Sequence, residues 1–133
     1  MSDKKHIVVL SIGGNIGNTR RRFNKLFLKF KQDNKFVILQ TTPLLKNPPF
    51  GYIKQDDFIN GLIIVKTNLT PIRLLNTIWQ YEKRFKRVRS FKNAPRTLDI
   101  DIVFYDTIKI NSTKLTIPHK NWQNRQSITI LME

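Results

Sequence analysis

Two carboxylates spaced two residues apart give this chain its clearest chemical signal. In Ala94-Pro-Arg-Thr-Leu-Asp-Ile-Asp-Ile-Val-Phe104, apolar and polar residues alternate from Leu98 onward. That period predicts a strand with Leu98, Ile100, Ile102 and Phe104 on one face and Asp99 and Asp101 on the other. Neighbouring unpaired carboxylates repel each other, so a cation belongs between or before them. Magnesium suits them best, because hard divalent ions take carboxylate oxygens and keep waters and substrate phosphates as their other ligands. Arg96, just ahead of the strand, carries the planar fork that grips phosphate. The same alternation also describes an ordinary solvated sheet face. Against that reading, Lys83, Arg84, Lys86, Arg87, Arg89 and Lys92 crowd the preceding segment while the strand carries only acids. A basic lid in front of an acidic strand is the arrangement these residues predict.

The composition bounds the classes of function. At 133 residues the chain is expected to form a single domain, 1–133, around one core. No apolar run approaches the roughly 18 residues of a membrane span, and the N-terminus lacks a signal-peptide pattern, so the reading is cytoplasmic with no membrane partner. There is no cysteine, which removes disulfides and thiolate metal sites. A net charge of +15 argues for an anionic partner: nucleic acid, a membrane surface or a polyphosphate. Part of that charge reflects a general Lys, Asn and Ile bias and carries no functional message.

The elements that must hold the acidic pair read as follows. His6 to Ile12 is a buried strand, broken by Gly13-Gly14-Asn15, with Asn18 or Thr19 capping a helix. Phe23, Leu26, Phe27 and Phe30 recur at helical spacing with a cationic outer face, and Asp33-Asn34 ends the run. Phe36 to Thr42 is a second strand, Pro43 to Gln55 a long proline-rich loop, and Asp56 to Thr67 a third strand with a bulge at Asn60-Gly61. Thr70-Pro71 starts a second helix whose buried stripe is Leu74, Leu75, Ile78, Trp79 and Phe85, with Glu82 at its edge. Ile108 and Ile110 suggest a short edge strand beyond Tyr105-Asp106-Thr107. This order predicts an α+β fold, a split β-α-β sandwich with a mostly antiparallel sheet and helices packed on it.

Ala94 to Ile102 closely resembles the signature of the 6-hydroxymethyl-7,8-dihydropterin pyrophosphokinases, enzymes of folate synthesis, and other stretches match in order from about Ile7 to about Arg125. The resemblance implies a ferredoxin-like sandwich and ATP-dependent diphosphate transfer to the pterin hydroxymethyl group, with AMP released. It implies ATP as co-substrate and two Mg2+ ions held by Asp99 and Asp101. Arg87, Arg89 and Arg96 would be catalytic with the two aspartates. Glu82, Arg89, Arg96, Lys114, Thr116, His119 and Arg125 would contact ATP. The pterin would lie against Gly14, Asn47, Pro48, Phe50, Phe58 and Asn60. An aromatic ring sharing a strand face with an amide suits that ligand: Phe58 stacks, and Asn60 offers donor and acceptor to an amidine-like edge.

The chain departs from the family pattern in five places. Asn47 stands where Thr is commoner, one residue is missing between Arg89 and Arg96 compared with better-known members, and Lys92-Asn93 stands where some of them have Arg-Trp. Ser127 replaces a second stacking aromatic, and the sequence ends at Glu133 without the usual further C-terminal segment. The expected partners are small molecules, with no nucleic acid, and the expected state is a monomer. Two rival readings are an RNA-binding module of ferredoxin-like topology and an inactive relative of the enzyme. The RNA reading lacks the exposed aromatics that a β-sheet RNA reader displays, and it sets two acids where phosphates would approach.

Overall fold

Branched and apolar residues favour extended chain, and the computed structural model, which describes residues 4–47, 55–85 and 97–119, runs the first strand through to the glycines as β1 (His6–Gly14). Helix α1 (Thr19–Gln32) starts at Asn18, whose side chain accepts a hydrogen bond from the Arg21 amide at 3.1 Å, and stops at Asp33. After it come β2 (Phe36–Thr41), β3 (Leu45–Asn47) and β4 (Phe58–Thr67). Helix α2 (Pro71–Arg84) is capped by Thr70, which accepts from the Arg73 amide, with Pro71 in the first turn where no amide proton is needed. Strand β5 (Asp99–Tyr105) completes the main sheet, and β6 (Ile110–Asn111) and β7 (Thr116–Ile117) pair only with each other.

The sheet runs β2-β4-β1-β5 with all neighbours antiparallel, and β3 continues along β4 beyond the end of β2. The β1-α1-β2 and β4-α2-β5 connections each step over one strand, the interleaved crossovers of a ferredoxin-like α+β sandwich. One sheet face, with Val8, Leu10, Ile12, Ile63, Val65, Ile100 and Ile102, packs on Phe23, Leu26 and Phe30 of α1 and Leu74, Ile78 and Tyr81 of α2. The opposite face is left to carry chemistry. Among the described residues, no helix is long and apolar enough to cross a membrane.

Four local expectations need correction. The alternation of β5 does not persist to Phe104: Val9 pairs with Phe104 but Leu10 with Ile102, so Val103 is an extra residue. Tyr105 therefore turns into the core in place of Phe104, and its hydroxyl donates to Leu69 O at 2.6 Å. Asn60-Gly61 is not bulged against β1, whose register passes through it unbroken; the break lies opposite, between β2 and β3, where Gly61 admits Leu44. Trp79 is 42% exposed, and Tyr81 takes the place in the core expected for it. Ile108 and Ile110 form no edge of the main sheet, since Ile110 belongs to the separate β6–β7 ribbon.

Tyr81 also ties α2 to the turn after α1. Its hydroxyl donates to Asp33 Oδ2 at 2.7 Å, and the Lys35 amide donates to Asp33 Oδ1 at 2.9 Å. Burial works to raise the Asp33 pKa, but the Lys35 amide, the Tyr81 hydroxyl and the Lys35 ammonium outweigh it and hold the carboxyl below its usual value. A carboxyl depressed in the folded state adds stability above its unfolded pKa and loses it as pH falls through the folded one. Asp33→Asn should therefore be less stable than wild type by about 1 kcal/mol at pH 7. That gap should begin to narrow below about pH 4, where the unfolded chain binds the proton, and close only below the depressed folded pKa, where both states do. Urea unfolding of both proteins at pH 7 and pH 3 checks this.

Candidate active site

Three strands build the face opposite the helices at one end of the sheet. β1 is central, and its Gly13 faces Asn60 of β4 on one side and Asp99 of β5 on the other. One step along, Ser11 faces Leu62 and Asp101. Directly opposed residues of antiparallel strands point to the same face, so Asn60, Asp99 and Asp101 share it, and Phe58 joins them by period two. Asn60 and Asp99 are two strand spacings apart, roughly 10 Å. That leaves room between them for a flat ring beside a charged group.

Gly13 makes room here for the Asn60 side chain. A Cβ there would lie 2.7 Å from Asn60 Oδ1, closer than real contacts allow, so the Asn60 amide lies over the glycine. On the far side of β4, β3 pairs Leu45 with Asn60 and Asn47 with Phe58, while Gly14 pairs with Ile59. Gly14, Asn47, Phe58 and Asn60 therefore gather at the same end. Asn15, buried just past β1, donates to Gln55 Oε1 at 2.7 Å and to Asp56 O at 2.9 Å, which fixes the approach to β4.

The acidic side is held from behind. Glu82 is buried, and its Oε2 accepts from the Ile100 amide, between the two aspartates, at 2.9 Å. An ordinary solvated glutamate at the helix edge is thereby excluded. Glu82→Ala should cost about 1–3 kcal/mol by leaving that amide unsatisfied. Glu82→Gln, which keeps an acceptor, should recover most of it, as read by urea midpoints.

After β7 the chain returns to β5, where the His119 amide donates to Val103 O at 3.1 Å. This brings His119 Nε2 to 3.8 Å from Asp101 Oδ1, with both side chains partly buried. Thr116 lies in β7, and Lys114 is exposed in the turn before it.

Among the described residues, no group of three or more His, Cys, Asp or Glu gathers to hold a metal. Two carboxylates on one face are nonetheless the complement that magnesium uses when a nucleotide supplies the other oxygens. The donor set fits that ion. Pro48, Phe50, Arg87, Arg89, Arg96 and Arg125 lie outside the described residues, as do Lys92, Asn93 and Ser127.

Comparison with known proteins decides what this face belongs to. The family model for 7,8-dihydro-6-hydroxymethylpterin-pyrophosphokinase matches residues 9–133. The chain belongs to that pyrophosphokinase family. It is 38% identical to the 2-amino-4-hydroxy-6-hydroxymethyldihydropteridine pyrophosphokinase of Campylobacter jejuni, over 95% of this chain and 80% of that protein. It is likewise 38% identical to the enzyme of the same name from Helicobacter pylori, over 96% and 80%. The Bifunctional protein FolKE of Lactococcus lactis is 37% identical over 87% of this chain and 33% of its own length.

With the pyrophosphokinase family in hand, two features of the site stand out as unread in the sequence. Ser11 completes the second row with Asp101, and the alternation of β1 could have placed it there. Arg22 donates to Ile16 O in the turn after β1 and to Thr97 O just before β5, and nothing in a run of three arginines distinguishes it from its neighbours.

Proposed function

We propose that the chain transfers a diphosphate group from ATP to the hydroxymethyl group of 6-hydroxymethyl-7,8-dihydropterin, the pyrophosphokinase step of folate synthesis, on the face of its sheet opposite the helices. The alcohol oxygen attacks the β-phosphorus, the bond from that phosphorus to the α–β bridging oxygen breaks, and AMP leaves with the electron pair. The hydroxyl proton passes to solvent. The supporting observation is the row Asn60–Gly13–Asp99, which sets an amide for a heterocycle beside an acid suited to a metal nucleotide.

In this reading Asp99 and Asp101 hold Mg2+, two ions in the full complex. Bound there with the nucleotide, the metal would neutralise phosphate charge and ease deprotonation of the attacking hydroxyl. Phe58 stacks on the pterin, Asn60 reads its edge, and Gly14 and the 47–50 segment close around it. His119, beside Asp101, serves the nucleotide with Lys114 and Thr116, and Glu82 acts on that pocket through the Ile100 amide that it holds. Arg87, Arg89, Arg96 and Arg125 bind phosphate oxygens, so catalysis rests on positioning and charge neutralisation rather than a side-chain base. The working unit is a cytoplasmic monomer whose partners are small molecules.

AMP formation should require ATP, Mg2+ and the hydroxymethyl pterin together. Chelation of the metal should stop it, and single-stranded RNA should leave thermal stability unchanged. ATP turnover independent of the pterin, or stabilisation by RNA alone, would contradict the assignment.

A further inference from the structure

Arg20, Arg21 and Arg22 stand in the first turn of α1, with no acid there. Cations are disfavoured at a helix N-terminus, where the peptide dipoles present positive charge. Arg20 and Arg21 meet this in water, but Arg22 is half-buried. Its Nη1 donates to Ile16 O at 2.7 Å and to Thr97 O at 2.9 Å. A half-buried cation on two carbonyls is still a firm tie, since hydrogen bonds from charged groups exceed neutral ones.

The two carbonyls belong to the two halves of the site. Ile16 lies in the turn after β1, where Gly17 takes φ +66° and where Asn15 already holds the approach to β4. Thr97 lies two residues before Asp99. The Thr97 hydroxyl is buried with no hydrogen-bond partner, so it does not fix this segment, whereas its carbonyl on Arg22 does. One guanidinium thus joins the turn that steadies the Phe58–Asn60 side to the start of the acidic strand.

We propose that Arg22 is a positioning residue for diphosphate transfer: by bracing residue 97 against the β1–α1 turn, it sets Asp99 relative to Asn60. This rests on the functional reading above. A brace of this kind controls whether the two substrates are held in line, so its loss should fall on kcat more than on either KM.

The test compares wild type, Arg22→Met and Arg22→Lys by steady-state kinetics and by amide hydrogen exchange. Arg22→Met should lower kcat about 10-fold to 100-fold with the pterin KM within roughly twofold. Exchange at Leu98 and Ile100 should quicken at least about tenfold, while Ile63 and Val65 in β4 stay protected. Arg22→Lys, which keeps the charge and a donor, should fall between, and it carries the test if the methionine variant does not fold. Unchanged kcat with unchanged exchange in β5 would overturn the brace. So would protection lost evenly over the whole sheet, the mark of a merely structural residue. An inactive wild type would contradict the functional reading, and the local exchange pattern would still decide the brace.

Discussion

Asp99→Ala and Asp101→Ala are each expected to lower kcat for AMP release about 10³-fold or more, with the fold intact. The metal held there would contribute several kcal/mol of charge stabilisation in the transition state, and each 1.4 kcal/mol is about tenfold in rate. The core does not depend on these side chains. The neighbours that pack are Leu98, Ile100 and Ile102, and the carboxylates stand on the other face. Thermal midpoints should therefore move by only a few degrees. Asp99→Asn and Asp101→Asn should be nearly as inactive, because an amide keeps the shape but not the charge that holds a hard cation. Normal turnover in any of these variants would remove the metal assignment.

Gly13→Ala is expected to act on the other substrate. The new methyl would sit 2.7 Å from Asn60 Oδ1, so the amide must swing away from the position proposed to read the pterin edge. Two hydrogen bonds of about 0.5–1.5 kcal/mol each would be weakened or lost. That corresponds to a rise of roughly 10-fold to 100-fold in the pterin KM. The ATP KM should change little. Asn60→Ala should give a similar loss, and the double variant should be much less than additive, since both changes remove the same contact. Independent, additive losses in the double variant would show that Gly13 and Asn60 do not act together.

The acidic pair was legible because a strand has period two and one face of it must be oily; three apolar residues were enough to put both carboxylates on the opposite side. The same rule misplaced Phe104, because the extra residue at Val103 is set by pairing with β1 and has no local signal. β3 was unreadable for a similar reason. Its three residues, with Lys and Asn among them, become a strand only where β4 offers a free edge beyond β2. Glu82 could be placed only at the edge of the helix stripe, because its partner is a main-chain amide in another element, and a sequence does not show which amides lack a ladder partner. Trp79 was counted as core on period alone, whereas Tyr81 won the place through its edge-to-face contact with Phe30 and its hydrogen bond to Asp33. The family was readable because its signature coincides with the acidic strand and the segment before it.

The measurement closest to the central claim is a crystal structure of the chain with Mg2+, a non-hydrolysable ATP analogue and the hydroxymethyl pterin. The account predicts divalent metal in contact with carboxylate oxygens of both Asp99 and Asp101 and with the nucleotide phosphates, and a pterin ring against Phe58 with its edge on Asn60. Metal and phosphates bound elsewhere, with the two aspartates left facing solvent, would contradict it.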